Sequence, residues 1–275
     1  ISTRNTLSIL SNVLLELHES TLVIKATDLK VSFETQIPVE VSEEGSTTVF
    51  CDKLLGIVRS LPEGDVEFSL NDQTLDIKPM FKKIDFQLRS IASDKFPELQ
   101  DIGEDQYFEI AQRDILEMIR QTIFAVSDDE TRYFMNGVFM ENLDSRLVMV
   151  ATDGRRLSFI RKEVSSDISE FSGVIIPPKI LNMISKLATG EGNISLAVSD
   201  KNIFAKLDGK KLSSNLIEGQ FPKYDRVIPE SQEYSILVNK DELNAALNRV
   251  SLLVEQKSRR IYVSVNDNTL LLHSE

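Results

Sequence analysis

The sequence contains an internal repeat with a period of 125 residues, and this repeat restricts the possible fold more than any other feature. Residues 22–28, Leu-Val-Ile-Lys-Ala-Thr-Asp, match residues 147–153, Leu-Val-Met-Val-Ala-Thr-Asp, so the two final Asp residues lie 125 positions apart. Phe96 and Phe221, each followed by proline, are separated by the same interval. Several matches at one interval predict structural units that are built alike.

The residues between these landmarks have the same order in both copies. Each copy contains Ser-Phe shortly after the repeated Asp, beginning at Ser32 and at Ser158. Each then contains an apolar helix, a turn with glycine and an alternating strand. These elements are predicted as helices 51–61 and 178–187, turns 62–64 and 190–192, and strands 66–70 and 194–198.

A third copy begins near Tyr234, on pattern more than on identity. Its predicted elements are a strand at 235–238, an amphipathic helix at 241–250, and strands at 260–265 and 270–275. The three copies predict domains at residues 1–103, 104–230 and 231–275. Because the first copy lacks its opening strand and helix and the third lacks most of its length, we expect the chain to be a fragment.

The second copy shows the predicted architecture most fully. A strand at 105–110 precedes a helix at 113–126, whose apolar residues recur at helical spacing. Asp153-Gly154 is a hairpin signal, because glycine tolerates positive φ. The remaining predicted elements are strands at 136–141, 146–151 and 157–162, and hairpin turns at 200–201 and 208–209. Two helices packed on antiparallel sheets in each copy indicate an α+β fold.

Composition excludes several classes of protein. No apolar run approaches the roughly 18 residues of a membrane-spanning helix, so no membrane association is expected. The single cysteine, Cys51, excludes a disulfide scaffold and indicates a reducing compartment, the cytoplasm. Two histidines and one cysteine offer few zinc ligands.

Catalytic motifs do not match the chain. Residues 190–193 lack the Gly-Lys-Ser/Thr ending of a phosphate-binding loop, and no Gly-x-Ser-x-Gly turn occurs. Asp128, Asp129 and Glu130 could bind a divalent ion, but a loop after a helix explains them more simply. The sequence therefore predicts no catalytic residue, no metal and no cofactor.

The charge is distributed unevenly along the chain. The net charge is −12, which argues against a protein that grips nucleic acid over its whole surface. The four predicted helices together carry +3, so the remaining residues carry −15. If the helices share one side, that side is mildly basic. Ordinary solvated helix faces are the simpler explanation from charge alone.

Seven short segments carry a family resemblance. They are 27–29 (Thr-Asp-Leu), 61–64 (Leu-Pro-Glu-Gly), 96–99 (Phe-Pro-Glu-Leu), 132–137 (Arg-Tyr-Phe-Met-Asn-Gly), 151–157 (Ala-Thr-Asp-Gly-Arg-Arg-Leu), 219–224 (Gly-Gln-Phe-Pro-Lys-Tyr) and 226–229 (Arg-Val-Ile-Pro). In this order and spacing, the chain resembles the bacterial sliding clamps, the beta subunits of DNA polymerase III. The pairing of Ala-Thr-Asp-Gly-x-Arg-Leu with Phe-Pro-x-Tyr is the specific part of this likeness.

The resemblance implies the clamp fold and a non-catalytic function. Three similar domains per subunit and two subunits would form a homodimeric ring, with helices lining a hole for double-stranded DNA. Contacts with DNA would be independent of sequence. The ring would tether the DNA polymerase III alpha subunit, the clamp loader and other proteins that carry a clamp-binding motif, and it would need no cofactor.

The resemblance also implies three sets of site residues. A peptide-binding pocket would be formed by Met135, Thr152, Gly154, Arg155, Arg156, Leu157, Pro222, Arg226 and Val227. DNA would be contacted by Arg4, Lys53, Arg59, Tyr133, Lys179 and Lys186. The dimer interface would pair Phe86 and Leu88 with Leu252 and Leu253.

Each set has a simpler alternative. The pocket residues could form a hairpin turn with solvated arginines. The basic residues could form surface ion pairs, and the apolar residues could belong to an ordinary domain core. Two alternative functions also remain at this point. One is a repeat-built scaffold that binds only proteins, and the other is an acidic metal-dependent hydrolase.

Overall fold

The computed structural model describes residues 8–40, 43–144, 146–164, 168, 171–255, 259–266 and 268–274. The chain divides into two compact units, Ile1–Tyr224 and Asp225–Glu275. The first unit contains the first predicted copy and the second as far as Tyr224. Within the described ranges, none of the helices is long and apolar enough to cross a membrane.

The first copy is a run of antiparallel strands interrupted by one long helix. Its strands are β1 (Asn12–His18), β2 (Thr21–Thr27), β3 (Val31–Pro38), β4 (Gly45–Phe50), β5 (Val66–Asn71), β6 (Thr74–Pro79) and β7 (Phe86–Ile91), and its helix is α1 (Cys51–Ser60). Asp52 in the first turn of α1 and Arg59 in the last turn complement the helix dipole. The helix ends at Ser60, because Pro62 disfavours a helical conformation at Leu61 before it.

The second copy adds a second helix and a second sheet. Its strands are β8 (Phe108–Ala111), β9 (Val138–Leu143), β10 (Arg146–Thr152), β11 (Leu157–Glu163), β12 (Val174–Ile176), β13 (Asn193–Val198), β14 (Asn202–Leu207) and β15 (Lys210–Asn215), and its helices are α2 (Gln112–Thr122) and α3 (Pro178–Leu187). Pro178 opens α3, where its missing N–H costs no hydrogen bond.

The strands of both copies form one continuous sheet. Its eleven strands follow the order β5-β6-β7-β4-β1-β2-β3-β15-β14-β13-β8. The two copies join where β3 pairs with β15, with Ser32 opposite Ser213. A second sheet of four strands, β11-β10-β9-β12, belongs to the second copy. The helices α2 and α3 bury Met118 and Ile184, among others, in one core that both sheets supply. The predicted packing of helices on antiparallel sheets is confirmed.

The register of two hairpins corrects one detail of the repeat. Thr27 lies opposite Ser32 across the β2–β3 hairpin, and Thr152 lies opposite Leu157 across the β10–β11 hairpin. Both loops therefore contain four residues, and Ser32 is structurally equivalent to Leu157. The Ser-Phe match at Ser158 is wrong by one residue, because identical letters in neighbouring positions do not occupy the same face of a strand.

Three predicted boundaries in the second copy also shift. Residues 104–106 form a 3-10 turn, so the strand predicted at 105–110 begins only at Phe108. The helix predicted at 113–126 ends at Thr122, whose side-chain hydroxyl donates to the carbonyl of Met118 at 2.7 Å and competes with the helical pattern. A 3-10 turn, Ile123–Ala125, follows it. The strand predicted at 136–141 begins at Val138, after the 3-10 segment Glu130–Met135.

The second unit contains one helix and one hairpin in its described part. They are α4 (Lys240–Ser251), β16 (Tyr262–Asn266) and β17 (Thr269–His273), and α4 packs on β17. The Asn239 side chain caps α4 by accepting hydrogen bonds from the amides of Asp241 and Glu242, at 2.9 and 3.1 Å. Residues 235–238 form no strand, which corrects the prediction. The equivalent strand β8 is held by β13, and the described residues of the second unit supply no such partner.

Candidate functional site

The loop between β10 and β11, residues 153–156, is held by a network of short-range hydrogen bonds. The Asp153 carboxylate accepts from the amides of Arg155 and Arg156, at 2.9 and 3.0 Å. The Thr152 hydroxyl accepts from the Gly154 amide at 3.0 Å and donates to the Arg156 carbonyl at 2.7 Å. Gly154 has φ of +84°, which glycine adopts without strain. We call residues 152–157 the Thr152 hairpin.

Asp153 is kept ionised by this network. The backbone amides of Arg155 and Arg156, followed by the side chain of Arg156, hold the pKa of the Asp153 carboxyl below its usual value. Hydrogen bonds to a carboxylate stabilise its charged form. The carboxylate therefore remains a fixed negative anchor for the turn at neutral pH.

Arg156 is already engaged with the protein. Its Nε donates to Asp153 at 3.1 Å, and its Nη2 donates to the carbonyl of Phe124 at 2.7 Å. The guanidinium also lies 5.4 Å from the centre of the Phe124 ring. These contacts hold the side chain across the turn. Arg155 and Arg156 are both exposed.

Arg132 is part of this surface, although sequence reasoning did not select it. A Cβ atom on Gly154 would lie 2.8 Å from the Arg132 Nη1 atom, so the guanidinium rests against the bare glycine backbone. The Arg132 Nε donates to the Asp129 carboxylate at 2.9 Å. The spacing of Asp129 and Arg132 was a weak signal for this pair. Asp129 thus orients an arginine, and the described residues contain no cluster suited to a metal ion.

An aromatic cluster supports the Thr152 hairpin. Leu157 packs against a group that includes Phe134, Phe139, Phe221 and Tyr224. The rings of Phe139 and Phe221 stack with their centres 4.8 Å apart. The Tyr224 hydroxyl is hydrogen-bonded to Glu141.

The remaining pocket residues differ in accessibility. Met135 and Thr152 are buried, and Pro222 is half-buried. The structure therefore brings the Thr152 hairpin together with Arg132 and the aromatic cluster. Arg226 and Val227 belong to the second unit, where both are exposed.

The predicted DNA contacts are exposed side chains on helices and on one loop. Lys53 and Arg59 project from α1, and Lys179 and Lys186 project from α3. Lys179 is hydrogen-bonded to Asp28 in the loop between β2 and β3. Tyr133 is 53 % exposed. Arg4 lies outside the described residues.

The predicted interface residues fall into two groups. Leu88 is 9 % exposed and belongs to the core of the first copy, and Phe86 packs against that core. Leu252 and Leu253, at the end of α4, are 82 % and 80 % exposed. The sequence could not separate these cases, because burial of a leucine depends on which elements pack over it.

Comparisons with known proteins point to a single family. Models described as the N-terminal, central and C-terminal domains of the DNA polymerase III beta subunit match residues 1–100, 109–223 and 225–275. The beta sliding clamp of Treponema pallidum is 46 % identical over 275 residues, which are 100 % of this chain and 74 % of that protein. The beta sliding clamp of Escherichia coli K12 is 30 % identical over 270 residues, covering 97 % of this chain and 73 % of that protein.

A solved structure gives the same result. The sliding clamp of Pseudomonas aeruginosa bound to griselimycin has a TM-score of 0.91 and 29 % identity. The match covers 99 % of this chain and 74 % of that one.

Proposed function

Because the chain belongs to the DNA polymerase III beta subunit family, the bacterial sliding clamps, we propose that it is a DNA clamp that confers processivity. It acts by encircling double-stranded DNA and holding replication and repair proteins on it. The observation that carries this proposal is the 46 % identity to a beta sliding clamp over the whole chain. The activity is mechanical tethering, and we propose no catalytic residue and no cofactor.

The joined sheets of the first two copies support a ring. The first and second copies continue one sheet through the β3–β15 pair. A repeated head-to-tail relation closes when its rotation divides a full turn. We propose domains at 1–103, 104–230 and 231–275 for this arrangement, and a homodimer whose interface includes Leu252 and Leu253.

A clamp of this kind needs only weak contact with DNA. Escape from a closed ring requires opening an interface, so affinity for phosphates is not what retains it. Contacts that carry no sequence information suit sliding. We propose that Lys53, Arg59, Lys186 and Tyr133, with Arg4 and Lys179, face the duplex. The remaining negative charge discourages binding of DNA elsewhere.

We propose that the Thr152 hairpin is one wall of a peptide-binding pocket. Leu157 and Pro222, with the more buried Met135, supply apolar surface for anchors of a partner peptide. Gly154 allows the close approach of Arg132, and the Arg132 guanidinium supplies hydrogen-bond donors. Partners in this scheme are the polymerase alpha subunit, the clamp loader and other proteins with a clamp-binding motif. The chain would act in the cytoplasm, where the chromosome is replicated.

Retention on circular DNA tests the proposal. The product of the complete reading frame is loaded by a clamp loader onto nicked circular DNA, which is then linearised. A topological clamp remains on the circle and slides off the linear molecule, and blocking both ends restores retention. A protein-only scaffold would show no retention on either form. Retention on unblocked linear DNA would contradict encirclement.

A further inference from the structure

A cleft of about 520 Å³ lies where the first copy meets the second. Its lining includes no residue of the Thr152 hairpin. Residues of β1, β2, β3 and β15 line the cleft, together with the segment 96–101. Its size falls within the range of ligand sites, which is roughly 300–1,000 Å³. The cleft has no role in the clamp mechanism proposed above.

The repeat explains why this cleft exists. In the second copy, Phe139, Val150 and Phe159 lie side by side on β9, β10 and β11. In the first copy, Leu14, Lys25 and Glu34 lie side by side on β1, β2 and β3 in the same register. Each member of one set is 125 positions from its counterpart in the other.

The two copies fill this equivalent position differently. In the second copy, the ring of Phe139 stacks on that of Phe221 with their centres 4.8 Å apart. The ring centres of Phe159 and Tyr224 are 5.8 Å apart. In the first copy, the counterparts of Phe139, Phe159 and Tyr224 are Leu14, Glu34 and Leu99, and all three line the cleft. Smaller and charged side chains thus replace aromatic rings.

The lining has an excess of negative charge. Five carboxylates, of Glu16, Glu34, Asp94, Glu98 and Asp101, face two ammonium groups, of Lys25 and Lys211. The lining therefore carries three more negative charges than positive ones. Anionic ligands are disfavoured by this balance, and cationic ligands are favoured.

The two lysines differ in how closely they approach the carboxylates. Lys25 forms a close pair with Glu16 at 2.6 Å. Lys211 lies 3.8 Å from Glu34 and 4.0 Å from Asp101, beyond hydrogen-bond distance from both. The Glu34 side chain is only 17 % exposed, so it is a half-buried acceptor within reach of a ligand.

Aromatic side chains complete the site. Phe33, Phe96, Phe204 and Tyr107 also line the cleft. A guanidinium group pairs with carboxylates through two parallel hydrogen bonds and stacks on aromatic faces, whereas an ammonium group does neither as well. The space also exceeds what one guanidinium needs, so neighbouring residues can enter with it.

We propose that this junction cleft binds an arginine side chain presented by a basic segment of a partner protein, with Glu34 as its principal acceptor. This site goes beyond the proposed clamp function and does not depend on it. Its test contains no DNA and no clamp-binding motif, so the two proposals can fail separately.

The test titrates the 275-residue chain into a fluorescein-labelled peptide, Gly-Ser-Arg-Arg-Ser-Gly, and follows fluorescence anisotropy. A matched peptide carries citrulline, which is neutral and nearly the same shape, in place of arginine. We expect the arginine peptide to bind at least about tenfold more tightly, the scale of one charge-assisted pair. Equal binding of the two peptides would overturn the proposal.

Variants then locate the binding. The double substitution Lys25→Val with Glu34→Phe installs the residues of the second copy and leaves the net charge unchanged. We expect it to abolish binding, whereas Arg146→Ala with Glu163→Ala removes one charge of each sign outside the cleft and leaves binding intact. If the double variant fails to fold, Glu34→Gln serves in its place, because it keeps the side-chain size. We expect Glu34→Gln to weaken binding about tenfold. Undiminished binding by a folded Glu34 variant would refute the assignment.

Discussion

Lys179 of α3 donates a hydrogen bond to the carboxylate of Asp28, 151 positions earlier in the chain. Asp28 stands in the loop between β2 and β3, and Lys179 in the first turn of α3, so this pair connects the first copy to the second. Burial opposes ionisation of Asp28, but hydrogen bonds from Lys179 and from the amides of Val31 and Lys30 outweigh it. Together they hold the pKa of Asp28 below its usual value.

The first prediction concerns the pH dependence of this pair. A depressed pKa in the folded state gives stability that is present above the unfolded pKa of about 3.9 and is lost as the pH falls through the folded value. Asp28→Asn keeps the side-chain acceptor for the turn but removes the charge. We expect it to lower the denaturant midpoint at pH 7 and to match the unsubstituted chain once the pH has fallen below the folded-state pKa of Asp28.

Urea denaturation across this pH range measures the effect. Asp200→Asn, at an exposed hairpin position, is the control for loss of one negative charge. A constant difference between Asp28→Asn and the unsubstituted chain from neutral to acidic pH would show that the pair is not linked to stability through its charge.

The second prediction separates two lysines of α3. Lys186 has no carboxylate partner within the described part of the chain, whereas Lys179 is paired with Asp28. Pairing reduces the charge that Lys179 presents to phosphates. We therefore expect Lys186→Ala to weaken binding to a short DNA duplex at low salt more than Lys179→Ala does. Anisotropy measured over several salt concentrations tests this ranking, and the reverse order would contradict it.

The third prediction concerns Gly154. An alanine there would combine a positive φ with a Cβ atom only 2.8 Å from Arg132. Gly192 provides a matched control, since its φ is +72° and nothing lies within 4 Å of its Cβ position. Gly192→Ala is expected to cost about 1–2 kcal/mol of unfolding free energy, because an L-residue at this positive φ is strained. Gly154→Ala should cost more and should also weaken binding of a clamp-binding peptide, because Arg132 must move.

Thermal unfolding and peptide anisotropy read out these two glycine variants. Equal stability losses in the two variants, with unchanged peptide affinity for Gly154→Ala, would contradict the prediction. The contact between Arg132 and Gly154 would then contribute neither to stability nor to peptide binding. The comparison isolates the contact from the backbone strain that both variants share.

The hairpin at Asp153-Gly154 could be predicted from the sequence. The same turn forms at Asp28, and in both turns the aspartate carboxylate accepts hydrogen bonds from the amides two and three residues later. Such turns depend on residues two or three positions apart, so the sequence contains all that they need.

Contacts between distant residues could not be predicted in this way. Two such contacts are that of Arg132 with the Gly154 backbone and that of Lys179 with Asp28. Both depend on how separate elements pack. The charged substitution at Glu34 was also hidden, because the Ser-Phe match placed Phe33 opposite Phe159. The 125-residue period, with the strand register, places Glu34 there instead.

The fourth prediction tests the proposed peptide pocket. Leu157 packs in the aromatic cluster and is half-buried. Leu157→Ala removes apolar surface from the proposed pocket wall. We expect the affinity for a polymerase-derived clamp-binding peptide to fall at least about tenfold, while the fold is retained. Isothermal titration calorimetry measures the affinity, and an unchanged value would reject the pocket assignment.

The fifth prediction distinguishes interface residues from core residues. Leu253 is 80 % exposed, so Leu253→Asp should leave the unfolding free energy of the chain nearly unchanged. In the product of the complete reading frame, the same change places a charge in the proposed dimer interface, and we expect monomers by light scattering. Leu88→Ala is the contrasting variant, because Leu88 lies in the core of the first copy. It should cost about 2–5 kcal/mol of stability whether or not a dimer forms. Intact dimers of Leu253→Asp would exclude Leu253 from the interface, since a charge enclosed there without a partner cannot be accommodated.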